Sequence, residues 1–413
     1  MNKINVGNDL YLKGRIGWKG LSKDEYLERS NFRIINGTAL EGKFINWSKC
    51  GFITEERYEE SPEIKLEESD ILISKDGTLG KIGYVKNLRT PSTVASGIFV
   101  LRNIIKDKLD TDYLYHFLKS NAFKEFINRM KASGSTILHL YQRDLAQLEL
   151  ELPKIEIQKK ISEVLNSIDS KIELNNRINA ELEALAKTLY DYWFVQFDFP
   201  DKNGKPYKTT GGKMIWNEGL KREIPEGWSV GTLLDIANYA NGLPCQKFRP
   251  TGDEFLRVIK IREMNEGFTE NSELVRPNIP EKAIIQNGDV LFSWSASLEV
   301  KIWTGGKGAL NQHIFKVSSG DYPKSFYYYQ LLNYLQHFKM IAENRKTTMG
   351  HITQEHLQQS RIAIPPKELT KELDKIIAPI FSKRMNNEIE NQKLTELRDW
   401  LLPMLMNGQV KVN

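Results

Sequence analysis

The chain of 413 residues repeats itself at a separation of 212. Residues 134–153, GSTILHLYQRDLAQLELELP, align without a gap on 346–365, KTTMGHITQEHLQQSRIAIP, with identities at Thr136 and Thr348, His139 and His351, Gln142 and Gln354, Leu145 and Leu357, Gln147 and Gln359, and Pro153 and Pro365. Past the prolines the same offset pairs Glu156 with Glu368, Lys171 with Lys383, Asn175 with Asn387, Leu182 with Leu394, Leu185 with Leu397 and Leu189 with Leu401. Upstream, SDILIS (69–74) resembles GDVLFS (288–293) and FRII (32–35) resembles LRVI (256–259), the offset drifting as loops change length. A duplication constrains every later assignment. This period is too long for a solenoid, so each copy is expected to fold as a domain with an appended element.

Within copy one, short apolar runs at Ile71 to Ile73, GKIGYV (80–85) and GIFVLR (97–102), punctuated by Gly, Asp and Asn, read as strands. A helix capped by Thr111 or Asp112 follows, with Leu114, Phe117, Leu118, Phe123, Phe126, Ile127 and Met130 on one face. Copy two repeats this over 323–343. Runs of strands with a helix to one side predict an α+β class.

After Pro153 a long segment without Gly or Pro carries Ile161, Leu165, Ile168, Ile172, Asn175, Ile178, Leu182, Leu185 and Leu189, a coiled-coil seam with a single three-three step. Its copy-two equivalent comprises Leu369, Leu373, Ile376, Ile380, Asn387, Leu394, Leu397, Leu401 and Met404, and Pro379 predicts a kink or a helix start there. The expectation is an antiparallel helix pair with Asn175 and Asn387 near its middle, since a polar residue on an apolar seam fixes register. The plainer alternative has each helix docking on its own domain. Between them PDKNGKPYKTTGGKM (200–214) reads as an exposed linker.

The composition, 40% hydrophobic and 27% charged, is that of a globular protein able to bury real cores. No run of eighteen apolar residues and no signal-peptide pattern occurs, which predicts a cytoplasmic protein without membrane attachment. Cys50 and Cys245 lack metal or disulfide spacing and read as buried small hydrophobes. A net charge of +5 is too small to mark a nucleic-acid binder by composition, so any DNA footprint must be local.

Catalytic motifs are missing. GTLGK (77–81) lacks the first Gly and the Ser or Thr of a phosphate loop and reads as a strand turn. HExxH, GxSxG, a helix-opening GxGxxG and a base-flipping Asn-Pro-Pro-Tyr loop do not occur. His139 and His351 recur in the repeat, and a lone His beside apolar residues is more often structural than catalytic.

The loops do offer side chains suited to base edges and phosphates. In copy one they are Arg15 and Lys19 of GRIGWKG, Lys75, Thr78 and Lys81 of SKDGTLGK, and Ser135 and Thr136 of KASGST. In copy two they are Lys247 and Arg249 of CQKFRP, Ser293, Trp294 and Ser295 of SWSASLEVK, and Arg345, Lys346 and Thr347 of NRKTT.

Together the segments LPKIEIQKKISEVLNSIDSKIELNNRIN (152–179) and IPPKELTKELDKII (364–377), the junction LYDYWFVQFDFP (189–200), the opening EIPEGW (223–228) and the ending LRDWLLPMLMNGQV (397–410) give the chain its likeness. It resembles, over nearly its whole length, the specificity subunit of type I restriction-modification systems. The resemblance implies two mixed α/β target-recognition domains (1–153 and 223–365) in a pseudo-two-fold repeat. They would be separated by an antiparallel coiled coil of two spacer helices (154–196 and 366–413), with a linker over 197–222. It implies a non-catalytic subunit that reads a bipartite, asymmetric site on double-stranded DNA.

Two modification (methyltransferase) subunits and ATP-dependent restriction subunits are the implied partners. S-adenosylmethionine, ATP and Mg would be held only by those partners, and this chain would carry no cofactor and no metal. One departure is that copy one has no counterpart of IPEGW, so its leading strand is expected to be lost or supplied differently. The rival readings are a stand-alone duplicated DNA-binding or coiled-coil protein and a single-chain methyltransferase or nuclease.

Overall fold

The computed structural model describes residues 2–15, 21–131, 139–344 and 351–410. The chain divides into two compact units, 1–173 with 393–413, and 174–392. Both divisions fall inside long helices, α6 (Ile155–Phe194) and α11 (Lys367–Met406).

Unit 1 contains β1 (Asn2–Asn5), β2 (Tyr11–Gly14), β3 (Phe32–Ile35), β4 (Gly51–Ile53), β5 (Ile71–Ser74), β6 (Ile82–Tyr84), β7 (Ser92–Val94), β8 (Ile98–Arg102) and β9 (Glu149–Leu152). Its helices are α1 (Val6–Asp9), α2 (Glu55–Glu59), α3 (Thr111–Lys119), α4 (Asn121–Lys131) and α5 (Gln142–Leu145). An antiparallel sheet of order β2-β8-β5-β6 carries the fold, flanked by a smaller β4-β3-β7 sheet and the β1-β9 pair. Every residue of β5 is buried because both faces of the sheet are covered. Ile71 and Ile73 pack with Leu114 and Leu118 of α3, while Leu72 points into a second core with Ile35, Val94 and Val100.

Unit 2 builds the same frame from β12 (Ser229–Thr232), β13 (Asn238–Asn241), β14 (Leu256–Ile259), β15 (Leu274–Val275), β16 (Ile284–Ile285), β17 (Val290–Ser293), β18 (Glu299–Ile302), β19 (Gly308–Leu310), β20 (Ile314–Ser318) and β21 (Arg361–Ile364). The hairpin β10 (Met214–Asn217) and β11 (Arg222–Pro225) precedes them, with helices α7 (Leu233–Ile236), α8 (Ile261–Glu266), α9 (Lys324–Asn344) and α10 (Gln354–Gln359). Strand orders β13-β20-β17-β18 and β15-β14-β19 match unit 1 in sequence of use, with β16 added beside β19, and β14 runs parallel to β19 as β3 does to β7. Val290 and Phe292 enter one core and Leu291 another, as in β5.

Three expectations are corrected here. The leading strand of copy one is present: β1 pairs antiparallel with β9 just as β12 pairs with β21. The helix after β8 is capped by Asp110, whose carboxylate accepts from Tyr113 N at 2.8 Å, and it breaks at Ser120 into α3 and α4. In α11, Pro379 neither starts nor interrupts the helix; an exposed site tolerates the lost backbone bond because the freed carbonyl can be solvated.

The long helices pair antiparallel within each unit. In unit 1, Ile161 and Leu165 share a core with Leu402 and Leu405, and Arg398 meets Asp169 at 3.1 Å. In unit 2, the Asn175 amide donates to Asn391 (2.9 Å) and Glu390 (2.8 Å), Asn387 donates to Asn179 (2.8 Å), and Arg384 meets Glu183 at 3.0 Å. The inward positions keep a regular alternation of four and three. On α6, Asn179 and Ala186 are buried where Ile178 and Leu185 were expected, and Leu185 is 49% exposed. On α11, Ile377 replaces Ile376 (46% exposed) and Arg398 replaces Leu397 (43% exposed) as the inward residue.

Helix geometry keeps the seam in phase, and it admits Asn, Ala and Arg rather than shift to follow the apolar residues. The predicted three-three step is therefore not there. Ile161, Leu165, Ile168, Asn175, Leu373, Ile380 and Asn387 are buried, while Ile172, Leu182, Leu189, Leu394 and Leu401 are half-buried along the seam.

The 200–214 stretch is largely exposed yet tied down. Asp198 accepts from Thr209 N (2.7 Å) and Thr209 Oγ1 (2.6 Å), and the Phe199 ring lies 4.7 Å from Tyr207 and 5.6 Å from Trp228.

Candidate nucleic-acid interface

Corresponding loops in the two units start from a buried serine at the end of a central strand. In unit 1, Lys81 N donates to Ser74 Oγ at 2.9 Å and the hydroxyl donates to the carbonyl of Thr78. In unit 2, Glu299 N donates to Ser293 Oγ at 3.0 Å and the hydroxyl donates to the carbonyl of Ser297. GTLGK is thus part of the β5-β6 turn. Three residues after each serine the backbone turns left-handed, at Gly77 (φ 66) and at Ala296 (φ 59). Unit 1 spends one more residue before the amide that bonds the serine, Lys81 against Glu299, and Gly80 (φ 75) absorbs it.

Lys75 and Trp294, each following its serine, occupy matching places. Leu140 N donates to the Lys75 carbonyl (3.0 Å) and Ile352 N to the Trp294 carbonyl (2.9 Å), so the backbone of each is held by the repeat segment. Both side chains lie beside an equivalent ring: the Lys75 ammonium is 5.0 Å from the Phe99 centroid, and the Trp294 ring is 5.8 Å from Phe315. The chemistry presented differs. Burial pulls Lys75 below the ordinary lysine range against the opposing charge of Asp76, whose carboxylate bonds His139. Trp294 donates to Asn241 at 3.1 Å and has the His313 and His351 rings at 5.5 and 5.4 Å. The recurring histidines therefore sit beside these loops, and Gln142 serves the frame by donating to the Leu12 carbonyl at 3.1 Å.

Among the sequence candidates, Thr78, Lys247 and Arg249 are exposed, and Lys75, Lys81 and Trp294 are half-buried. Three are corrected: Ser293 and Ser295 are buried, the former consumed by the turn bonds, and Arg15 is 5% exposed with Glu60 at 3.9 Å, so none of these stands at an open loop surface. Desolvation holds the Arg15 guanidinium below its ordinary range. Lys19, Ser135, Thr136, Arg345, Lys346 and Thr347 lie outside the described residues. Asn241 and His313 were missed because no motif marks them; only the strand pairing of β13 and β20 brings them to Trp294.

A buried polar cluster in unit 1 also escaped the sequence reading. Asn166 Oδ1 faces His116 Nε2 at 2.9 Å and accepts from Lys43, which lies 3.8 Å from Asp169. Burial holds His116 below the ordinary histidine range, opposed by the Asn166 bond and reinforced by Lys43. Cys50 and Cys245 are buried, and desolvation pushes both thiols up to about 11. No helix among the described residues is long and apolar enough to cross a membrane.

A family model described as the type I restriction modification DNA specificity domain matches residues 18–184 and 225–399. The chain is 28% identical over 371 residues to the type I restriction enzyme MjaIX specificity subunit of Methanocaldococcus jannaschii, across 85% of this chain and 81% of that one. It is 25% identical over 438 residues to the HindI specificity subunit of Haemophilus influenzae, across 91% and 94%. The crystal structure of the type I restriction-modification system S subunit from M. genitalium matches with a TM-score of 0.57 at 16% identity, covering 98% and 95%, a likeness of fold. With both repeats spanned by the family model, the chain belongs to the family of the type I restriction modification DNA specificity domain.

Proposed function

We propose that this chain is the DNA-reading subunit of a type I restriction-modification complex, with each unit reading one half of a bipartite, asymmetric site on double-stranded DNA. The observation that carries the reading is the pair of matching loops. One backbone frame, pinned by Ser74 or Ser293, offers a cation at Lys75 in one unit and an indole at Trp294 in the other. Shared frame with divergent side chains is what two readers of different half-sites require, since base contacts specify while the frame positions. Thr78, Lys81, Lys247 and Arg249 would add contacts to bases or phosphates.

In this reading the recognition domains span 1–153 and 223–365, and 197–222 is a fixed connection. The helices over 154–196 and 366–413 act as spacer and docking surface for two modification subunits, and through them for restriction subunits. Forty residues of helix rise about 60 Å. Leu185 and Leu397, equivalent in the repeat and both well exposed, suit a partner that binds twice by the same chemistry. S-adenosylmethionine, ATP and Mg would belong to those partners, and this chain would contribute specificity rather than turnover.

The test is co-expression with the modification subunits and genome-wide mapping of methylated adenine. Replacing Lys75 and Thr78 together should change one half of the methylated site and leave the other and the spacing intact. Loss of both halves, or methylation by the chain alone, would overturn the reading. DNA binding as tight without the modification subunits as with them would favour a stand-alone binder.

A further inference from the structure

Unit 1 contains a groove of about 830 Å³ between α3, the start of α4, the start of α6 and the end of α11. Unit 2 has the equivalent place at the 212 offset, where Met406 corresponds to Phe194, Asn121 to Asn333, Glu125 to His337 and Glu151 to Ala363. There the opening is smaller, about 540 Å³, and its wall is completed by Phe197, Leu220 and Arg222 from the segment that follows α6. Phe197 is 1% exposed, adopts φ 67 and packs 5.1 Å from Trp228, with the Arg222 guanidinium 4.6 Å over its ring. At this place unit 2 thus sets an aromatic ring capped by a cation into the wall.

In unit 1 the segment after α11 also lines the groove, through Asn407, Gly408 and Val410, but the counterpart of Phe197 at the 212 offset is the exposed Gln409, so Asn407–Val410 set no ring there, and the groove carries two further marks. Ser120, 3% exposed and on its lining, has a hydroxyl without a hydrogen-bond partner among the described residues, where unit 2 has the apolar Leu332. Glu125 and Glu151 line it where unit 2 places His337 and Ala363, so the unit 1 site is the more acidic. A buried unpaired hydroxyl is costly and a charged lining selects its complement.

We propose that this groove receives an extended segment of a bound modification subunit. The segment would carry an aromatic side chain for the apolar floor, a neighbouring Lys or Arg for Glu125 and Glu151, and a backbone group for the Ser120 hydroxyl. The inference rests on the reading that this chain assembles with modification subunits, and it makes the two docking events unequal, because unit 2 builds an aromatic ring and a cation of its own, Phe197 and Arg222, into the wall of its equivalent site.

The experiment uses the purified complex of full-length chain and modification subunits, with the exposed groove residue Ala122 replaced by the photo-cross-linker p-benzoylphenylalanine. Irradiation should join Ala122 to one segment of the modification subunit, and mass spectrometry should find in it an aromatic residue close to a Lys or Arg. The double variant Glu125→Lys and Glu151→Lys should weaken one of the two binding events about tenfold, with the melting temperature unchanged. A cross-link only to another copy of this chain, a cross-link to an acidic or wholly polar segment, or unaltered affinity of the charge-reversed variant would overturn the inference. If the unmodified chain binds no modification subunit at all, the underlying reading fails with it, an outcome distinct from a failed groove.

Discussion

The loops that follow Ser74 and Ser293 share hydrogen bonds, a left-handed residue at the same step and an aromatic ring under the next side chain, yet they share almost no exposed chemistry. Lys75, Asp76 and Thr78 in unit 1 are matched in sequence by Trp294, the buried Ser295 and Ser297 in unit 2. Buried groups that satisfy backbone donors were retained after duplication, because an unmade bond there costs the whole desolvation penalty. Positions whose side chains reach the edge of the fold diverged. What the two loops have in common is thus their scaffold, and what distinguishes them is the side chains they present.

The equivalence breaks if the serines differ in weight. Ser74→Ala and Ser293→Ala should each destabilise their own unit by about 2 kcal/mol, read by denaturant titration and by faster hydrogen exchange at Lys81 and Glu299. An effect in one unit alone would end the comparison. A smaller effect separates the left-handed positions: Ala296→Gly should stabilise by up to about 1 kcal/mol and Gly77→Ala should destabilise by a similar amount. A Cβ on Gly77 meets no atom within 4 Å, so the cost there is one of backbone alone.

The smallest expected difference concerns acid. His116 in unit 1 aligns with Tyr328 in unit 2, whose phenol burial pushes up to about 12 and which does not titrate near neutrality. Because the folded His116 is depressed below 6.5, its contribution is complete above that pH and is lost as pH falls through the depressed value. His116→Gln should therefore flatten part of the decline in melting temperature below pH 6.5, and Tyr328→Phe should leave the decline unchanged.

Much of the frame could be read from the sequence, because burial on both faces of β5 and β17 leaves continuous apolar runs, and the repeat carried the assignment from one copy to the other. The phase of the long helices was less legible. Reading apolar letters put Ile178, Leu185, Ile376 and Leu397 on the seam, whereas the helix periodicity, which Asn179, Ala186, Ile377 and Arg398 obey, decides the matter. Polar residues that satisfy each other across the seam leave no hydrophobic trace. GTLGK was located correctly as a strand turn, but whether a serine at such a turn is a reader or a brace depends on hydrogen bonds made to residues several positions away. The Lys43, Asn166 and His116 cluster joins three distant segments and no spacing rule could have found it.

The contact between recognition domain and helix start has its own history. In unit 1, Ser162 on the helix donates to Asp110 on the domain at 2.7 Å; in unit 2, Ser325 on the domain donates to Asp374 on the helix at 2.6 Å. On the helix the two positions, 162 and 374, are equivalent in the repeat, and donor and acceptor are exchanged between helix and domain. A gene crossover between the two halves at the boundary prolines, Pro153 and Pro365, would set Asp110 against Asp374 in one recombinant and Ser325 against Ser162 in the other, either crowding two carboxylates or leaving no acceptor of comparable strength. By this geometry the inverted pair would disfavour such hybrids at the splice point, whichever half they duplicate.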